Sequence, residues 1–232
     1  MKNKQNKHVF IVTSCMKPHT GILSYEERFK QTIESFDSIR KMVPDAFIIF
    51  SDCSVFEITP EEMKIINTKI DLHLDFRNDQ HTQEFNKYGL KSYGELYMLY
   101  YSVLHYKQNY DINIEGTMFK LGARCKLNDN FDINDFDEHK GKYIFKTRLD
   151  TWRNEIEKQK GWTHLLETRF YSWCFSLIDD YLEVLIKNLN SLNLGLDTEH
   201  AHFLHIATDK LVEIPMVNCT CIIAADGRLM VD

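Results

Sequence analysis

The residues of this chain best suited to bind an anion follow a short apolar run near the middle of the sequence. Residues 118–121 are Met-Phe-Lys-Leu, a β-prone stretch that predicts a buried strand, and Gly122 interrupts it. Beyond the glycine come the polar side chains of Arg124, Lys126, Asn128 and Asp129. Guanidinium and ammonium groups make charge-assisted hydrogen bonds to phosphate oxygens, so this pattern predicts a site for a phosphate-bearing ligand. The same pattern also fits a charged loop that only caps a core strand.

Similar polar clusters stand at three other ends of predicted elements. They are Thr13 and Ser14 at the end of 8–13, Asp52 after 46–51, and Lys91 and Ser92 before a helix at 96–106. Ligands of open α/β sheets bind in the crevice outside the carboxyl ends of the strands, so we expect these clusters to converge. A helix N-terminus attracts anions, which favours Lys91 and Ser92 as phosphate-binding residues. Ser92 fits the N-cap of that helix at least as well.

Strand and helix patterns alternate along the first half of the chain. Strands are predicted at 8–13, 46–51, 70–76 and 117–122. An apolar stripe predicts a helix over 25–43 that Pro44 ends, and Thr59 and Pro60 suit the N-cap and first residue of a second helix. This alternation is typical of parallel sheets with right-handed crossovers. We therefore predict an α/β fold, a single three-layer α/β/α domain with a mostly parallel central sheet.

The second half of the chain has weaker patterns. Segment 77–87 is polar and is predicted to be mobile, and 132–137 is predicted to be an acidic loop. Further strands are predicted at 143–147, 168–175, 211–217 and 219–225, and helices at 177–192 and 198–205. A turn is predicted at Asp226-Gly227.

Composition limits the classes of function. The 232 residues are 44% hydrophobic and 27% charged, which suits one sizeable soluble domain spanning 1–232. A net charge of −6 argues against a general nucleic-acid binder. The N-terminal residues are polar, the apolar run His8–Val12 is too short for a signal peptide, and no stretch approaches the roughly 20 apolar residues of an integral membrane segment. The six cysteines are scattered, so we expect reduced thiols and a cytoplasmic protein.

The order of the short motifs carries a family resemblance. These motifs are Val12-Thr13-Ser14, Ser51-Asp52-Cys53-Ser54, Lys91-Ser92-Tyr93-Gly94-Glu95, 119–124, Thr168-Arg169-Phe170-Tyr171, Glu199-His200 and Ala224-Ala225-Asp226-Gly227. In this order, over about residues 8–228, the chain resembles small glycosyltransferase-like proteins with the GT-A nucleotide-sugar fold. The resemblance implies transfer of a sugar from a UDP- or GDP-sugar to an acceptor hydroxyl of a sugar or glycoconjugate. It also implies a donor-binding half, 1–125, and an acceptor half, 126–232.

The resemblance assigns roles to individual residues. Donor-site residues would be Thr13, Ser14, Asp52, Lys91, Ser92, Lys120, Gly122, Arg124 and Arg169. Thr13 and Asp52 would flank the nucleoside, and Lys91 with the 120–124 stretch would approach the diphosphate and sugar. Transfer needs a base for the acceptor hydroxyl if the anomeric centre inverts, and Glu199, with Asp150 as second candidate, would supply it. Each of these carboxylates also fits a surface charge or a helix cap.

The metal site is the main departure from the resemblance. Most GT-A enzymes hold Mn²⁺ or Mg²⁺ with an Asp-x-Asp after the central strand, where this chain has Gly122-Ala123-Arg124-Cys125-Lys126. The acidic residues at 135–137 lie well past that strand and are predicted to be solvated. Arg124 and Lys126 could supply positive charge in place of a metal, with Asp129 and His202 as ligands if one binds.

Two other classes of function remain open from the sequence. One is a non-catalytic nucleotide-sugar-binding module, which the missing Asp-x-Asp favours. The other is a metal-dependent hydrolase built on the cluster Glu199, His200, His202 and His205, although its spacing matches no recognised zinc motif.

Overall fold

A computed structural model describes residues 6–18, 22–159, 161–222 and 228–232. The strands are β1 (His8–Ser14), β2 (Phe47–Asp52), β3 (Leu72–Asp75), β4 (Thr117–Gly122), β5 (Cys125–Leu127), β6 (Tyr143–Lys146), β7 (Leu149–Asp150), β8 (His164–Leu165), β9 (Phe170–Cys174), β10 (Leu211–Ile214), β11 (Cys219–Ile222) and β12 (Leu229–Val231). The helices are α1 (Tyr25–Met42), α2 (Pro60–Asn67), α3 (Gln80–Lys87), α4 (Lys91–Asn109), α5 (Asn134–Asp137), α6 (Glu155–Gln159), α7 (Ile178–Leu192) and α8 (Thr198–His205).

The central sheet is mostly parallel, as predicted. Among the described residues its strand order is β10-β6-β9-β4-β1-β2-β3. Strand β9 runs antiparallel to both of its neighbours, and the other adjacent pairs are parallel. The chain leaves β1 toward β2 and β3 and then returns to place β4 on the other side of β1. The strand order therefore reverses between β1 and β4, and such a reversal opens a crevice at the carboxyl ends of the strands.

Two apolar cores cover the two faces of this sheet. Phe10 and Val12 of β1 face a core that includes α1, α2 and the small sheet β12-β11-β5. Val9 and Ile11 alternate to the other face, where α4 and α7 pack. Because both faces of β1 are buried, its sequence is a continuous apolar run without the alternation of a half-exposed strand. The three-layer α/β/α prediction is confirmed.

The first two helices begin where their capping residues predict. The Ser24 hydroxyl accepts a hydrogen bond from the Glu27 N–H (3.2 Å), and the Glu27 carboxylate accepts one from the Ser24 N–H (2.7 Å). Thr59 caps α2 in the same reciprocal way, with Pro60 as the first helical residue. These capping boxes satisfy N–H groups that would otherwise lack partners.

Three local predictions are wrong. Segment 77–87, predicted to be mobile, contains α3, whose N-cap Asp79 accepts a hydrogen bond from the Thr82 N–H (2.9 Å). Helix α4 begins at Lys91, so Ser92 lies inside its first turn, and the N-cap is Leu90. The acidic segment 132–137 contains the short helix α5. The predicted turn at Asp226-Gly227 lies outside the described residues.

The cysteines differ from the sequence expectation. Cys125 of β5 and Cys221 of β11 lie directly opposite each other and form a disulfide, with 4.1 Å between their Cα atoms. The expectation of six reduced thiols is therefore wrong for this pair, which joins residues 96 positions apart. In the part of the chain that the structure describes, no helix is both long enough and apolar enough to span a membrane.

Candidate active site

A cavity of about 470 Å³ opens at the carboxyl edge of the central sheet. Its lining residues come from both halves of the chain: Thr13, Ser14, Cys15, Met16, Pro18, Arg28, Thr32, Cys53, Phe85, Asn86, Gly89, Lys91, Gly94, Glu95, Met98, Lys120, Gly122, Ala123, Arg124, Cys125, Thr168, Arg169, Glu199 and Ile222. The cavity therefore occupies the crevice that the strand reversal between β1 and β4 creates.

The topology explains why these residues meet. The parallel strands β1 and β4 end at this edge and bring Thr13 and Lys120 with them. Strand β9 is antiparallel, so its start, preceded by Thr168 and Arg169, lies at the same edge. The cavity also receives the first turns of α1, α4 and α8.

Lys120 and Glu95 form an ion pair in the wall of the cavity. The Lys120 residue is only 2% exposed, and its ammonium group contacts the Glu95 carboxylate and donates to the Thr168 carbonyl oxygen (2.6 Å). The Thr13 hydroxyl also donates to Glu95 (3.5 Å). Burial alone would raise the pKa of Glu95, but the positive charges of Lys120 and Arg124 outweigh it and lower that pKa. Glu95 is thus held as a carboxylate.

Two arginine side chains line the cavity without a carboxylate partner in the part of the chain that the structure describes. Arg28 of α1 is 9% exposed and donates from Nε to the Leu23 carbonyl (3.4 Å) and from Nη1 to the Cys15 carbonyl (3.3 Å). Arg124, in the turn between β4 and β5, makes no side-chain hydrogen bond or ion pair to a described residue, and its Nη1 is shielded from solvent. Burial and then the charge of Arg28 lower the pKa of Arg124. The two guanidinium groups are therefore close enough to repel each other.

Glu199 lies in the first turn of α8, as predicted, although Asp197 and not Thr198 is the N-cap. The Thr168 hydroxyl donates to the Glu199 carboxylate (3.3 Å). Burial raises the pKa of Glu199, and the nearby charges of Asp197 and Glu95 add to the effect. A carboxylate with a raised pKa is a stronger proton acceptor once ionised. Its assignment as the catalytic base stays a prediction.

The two remaining cations of the predicted donor site differ in how their charges are balanced. Arg169 contacts the Glu167 carboxylate and lies 3.4 Å from a carboxylate oxygen of Asp232, so its charge is already compensated. Lys91 is exposed at the cavity rim, at the start of α4.

Three predicted site residues do not line the cavity. Asp52 is fully buried, and its carboxylate accepts hydrogen bonds from the N–H groups of Met16 (3.2 Å) and Ser54 (3.0 Å). It therefore links the loop after β1 to the loop after β2. Ser92 lies in the first turn of α4 and is not one of the lining residues. The side chain of Asp150 is 96% exposed and faces His164 at 3.5 Å.

The predicted metal ligands are also elsewhere. The Asp129 side chain is 86% exposed and pairs with Lys41 at 2.6 Å. His202 is fully buried, with Nδ1 bonded to the Thr198 carbonyl (2.8 Å) and Nε2 near two tyrosine hydroxyls. At the amino-terminal ends of the strands, the Asp137 carboxylate contacts Nε2 of His8 in β1 (3.1 Å) and accepts a hydrogen bond from the Thr117 hydroxyl in β4 (3.1 Å). Asp137 is therefore not simply solvated.

The described residues do not fit a divalent-metal site in the cavity. Its only lining carboxylates among them are Glu95, which is paired with Lys120, and Glu199. Elsewhere in the described ranges, one group of metal-ligand type contains Cys219, Cys221 and Asp232, but the disulfide removes Cys221. The hydrolase alternative loses support as well. Ring nitrogens of the three histidines on α8 make separate hydrogen bonds, to Thr151 and Asp197, to Thr198, and to Ser191.

Sequence reasoning missed Arg28, Glu95 and Thr168 as site residues. Glu95 lies four residues after Lys91, which places both on one face of α4, and this spacing was a usable signal. Arg28 and Thr32 show the same spacing on α1. Nothing in the sequence indicates that Arg28 would face Arg124, because the two residues belong to different elements.

Among the comparisons with known proteins, the one with solved structures identifies the fold. No protein-family model matches the chain, and the curated protein sequences contain no match to it. The structure of core-mannan synthase A (CmsA/Ktr4) from Aspergillus fumigatus in its Mn/GDP form is similar, with a TM-score of 0.53 and 12% identity over 90% of this chain and 73% of that one. The mannosyltransferase Ktr4p from S. cerevisiae has a TM-score of 0.53 and 10% identity over 90% of this chain and 68% of that one. The chain thus has the fold of GT-A-type glycosyltransferases.

Proposed function

We propose that the protein is a glycosyltransferase that moves a sugar from a nucleoside-diphosphate sugar to an acceptor hydroxyl. The observation that carries this proposal is the cavity at the strand reversal, which Glu199 lines together with Arg28 and Arg124, two arginines without carboxylate partners among the described residues. The similarity of the fold to core-mannan synthase A and to the mannosyltransferase Ktr4p supports the proposal.

The cavity residues divide the proposed chemistry between them. The acceptor oxygen attacks the anomeric carbon while the bond from that carbon to the diphosphate oxygen breaks. The leaving diphosphate gains negative charge, which guanidinium groups stabilise in a site shielded from water. With inversion at the anomeric carbon, Glu199 takes the hydroxyl proton, and its raised pKa suits that role.

Donor and acceptor occupy different parts of the cavity in this proposal. Thr13 and Ser14 at the end of β1 would bind the donor, as predicted for the half 1–125. Thr168 and Glu199, from the half 126–232, would face the acceptor. UDP- and GDP-sugars are both candidate donors, and the acceptor is a sugar or glycoconjugate. The cytoplasmic location stays a prediction, and the sequence leaves the participation of Mn²⁺ or Mg²⁺ open.

A transfer assay tests the proposal. Purified protein is incubated with a panel of UDP- and GDP-sugars, and release of the nucleoside diphosphate is measured with and without simple sugar acceptors. We expect donor-dependent release that an acceptor accelerates and that Glu199→Gln reduces. Nucleotide-sugar binding without any turnover on a broad acceptor panel would instead favour the non-catalytic binding module. Absence of binding would refute both.

A further inference from the structure

The guanidinium groups of Arg28 and Arg124 carry positive charge that forms no ion pair with a carboxylate of the described residues. In the hydrogen bonds seen there, Arg28 donates to two backbone carbonyls, those of Leu23 and Cys15. The Arg124 guanidinium has no hydrogen-bond acceptor among the described residues, although its Nη1 is shielded from solvent. Bringing two like charges into a poorly hydrated site without acceptors is unfavourable. An anion with several oxygen acceptors would remove this cost.

Nearby carboxylates do not serve this purpose. The closest acidic group to Arg124 by its electrostatic effect is Glu95, and that carboxylate is already in contact with the Lys120 ammonium. Glu199 lies in the same cavity, but its contacts are to the Thr168 hydroxyl. The two guanidinium groups are therefore available to a ligand.

The position of Arg124 matters as much as its charge. It follows the central strand β4 after Gly122 and Ala123, at the carboxyl edge where the strand order reverses. Arg28 lines the same cavity from α1, which packs against β5. Two guanidinium groups carry two positive charges and together match the charge of about two on the diphosphate of a nucleotide sugar.

We propose that Arg28 and Arg124 bind the diphosphate directly and take the place of a divalent cation, so that nucleotide binding does not require a metal. The inference rests on the proposed function, because it names the groups that hold the diphosphate of the donor. It is consistent with the poor fit of the described cavity residues to a metal site.

Calorimetric titration with UDP and GDP tests the inference without any catalytic readout. Metal-stripped protein is titrated in excess EDTA and, separately, in Mn²⁺, and the better-binding nucleotide is used for the variants. We expect the two dissociation constants to agree within about threefold. Arg28→Gln and Arg124→Gln should each weaken binding by about 10- to 150-fold in both buffers, the usual effect of losing a charged hydrogen bond.

A matched control comes from a neighbouring exposed lysine. Lys30 lies two residues from Arg28 on α1, and its side chain is 78% exposed. It does not line the cavity, so Lys30→Gln should bind nucleotide like the wild type. Arg124→Lys keeps the charge but loses the planar fork and should fall between wild type and Arg124→Gln.

The outcomes separate this inference from the proposed function. Binding that EDTA abolishes and that neither arginine variant weakens would overturn the inference and leave the glycosyltransferase proposal standing. No binding of either nucleotide in either buffer would overturn both. Arg28 donates to two backbone carbonyls, hydrogen bonds that its substitution removes, so thermal melting checks the folding of each variant. Arg124 makes no such bonds, so Arg124→Gln should fold and keeps the test decisive.

Discussion

Replacing Glu95 with Gln should destabilise the protein more than replacing its partner Lys120 with Met. The Lys120 side chain is 3% exposed and that of Glu95 is 35% exposed. Glu95→Gln leaves a buried ammonium group without a negatively charged partner, with only neutral acceptors such as the Thr168 carbonyl at 2.6 Å. Removing one partner of a buried pair costs about 3–5 kcal/mol, and we expect about 3 kcal/mol because the Thr168 bond survives.

Lys120→Met leaves the opposite situation. The Glu95 carboxylate can regain water through its exposed side, so the main loss is the hydrogen bond to Thr168, and we expect a cost of about 1–2 kcal/mol. The double variant Glu95→Gln/Lys120→Met should be more stable than the sum of the single changes predicts, because the two changes together leave no unpaired charge behind.

Urea unfolding of the four proteins measures these free energies, and a loss of 3 kcal/mol corresponds to a melting point lower by roughly 6–12 °C. Asp129→Asn is the control, because its pair with Lys41 is exposed and should contribute nothing measurable. Equal stability of Glu95→Gln and wild type, or a larger cost for Lys120→Met, would refute the asymmetry that the exposures predict.

Three further predictions concern catalysis, pH and the disulfide. Glu199→Gln should leave nucleotide affinity near wild type and cut transfer by about 10²–10⁴-fold, and the wild-type rate should fall with decreasing pH through the raised pKa of Glu199; full activity in the variant would remove its role as base. Burial lowers the pKa of His202 from 6.5 to about 4, so on acidification the unfolded chain takes up a proton before the folded one. The free energy of unfolding should therefore fall by up to about 3 kcal/mol as the pH drops from 6.5 to 4. Urea titrations at several pH values should show a shallower loss in His202→Gln. Reducing the Cys125–Cys221 disulfide should lower the free energy of unfolding by about 2–4 kcal/mol, since it closes a long loop, and the reductant should have no effect on the Cys125→Ser/Cys221→Ser variant.

The elements that the sequence predicts well are those whose pattern is set by burial alone. Strand β4 spans 117–122 as predicted, because an apolar run bounded by Gly116 and Gly122 leaves little choice of ends. Helix α3 was missed because it is eight residues long and presents few apolar side chains, with Thr82 as its buried residue. A short polar helix depends on packing against its neighbour, here α4. That contact cannot be predicted from the sequence of the helix alone.

Strand ends locate a site better than they identify its residues. Thr13 and Asp52 both stand at the carboxyl ends of parallel strands, and for that reason both were predicted to face the ligand. Thr13 lines the cavity, whereas Asp52 turns inward to accept the N–H groups of Met16 and Ser54. The direction of a side chain at a strand end depends on which backbone donors the adjoining loops leave unsatisfied. Those donors are known only once the loops are folded.

The charge of the site also has no counterpart in the composition. The chain has a net charge of −6, yet Arg28 and Arg124 line one cavity, and neither forms an ion pair with a carboxylate in the ranges that the structure describes. Their proximity requires α1 and the β4–β5 turn to flank the end of β1, which follows from the reversal of strand order. Among the described residues, the carboxylate with the largest electrostatic effect on Arg124 is Glu95 of α4, and it is in contact with Lys120. The Lys120–Glu95 pair thus has a second consequence: because Lys120 compensates the charge of Glu95, that carboxylate does not neutralise the two guanidinium groups.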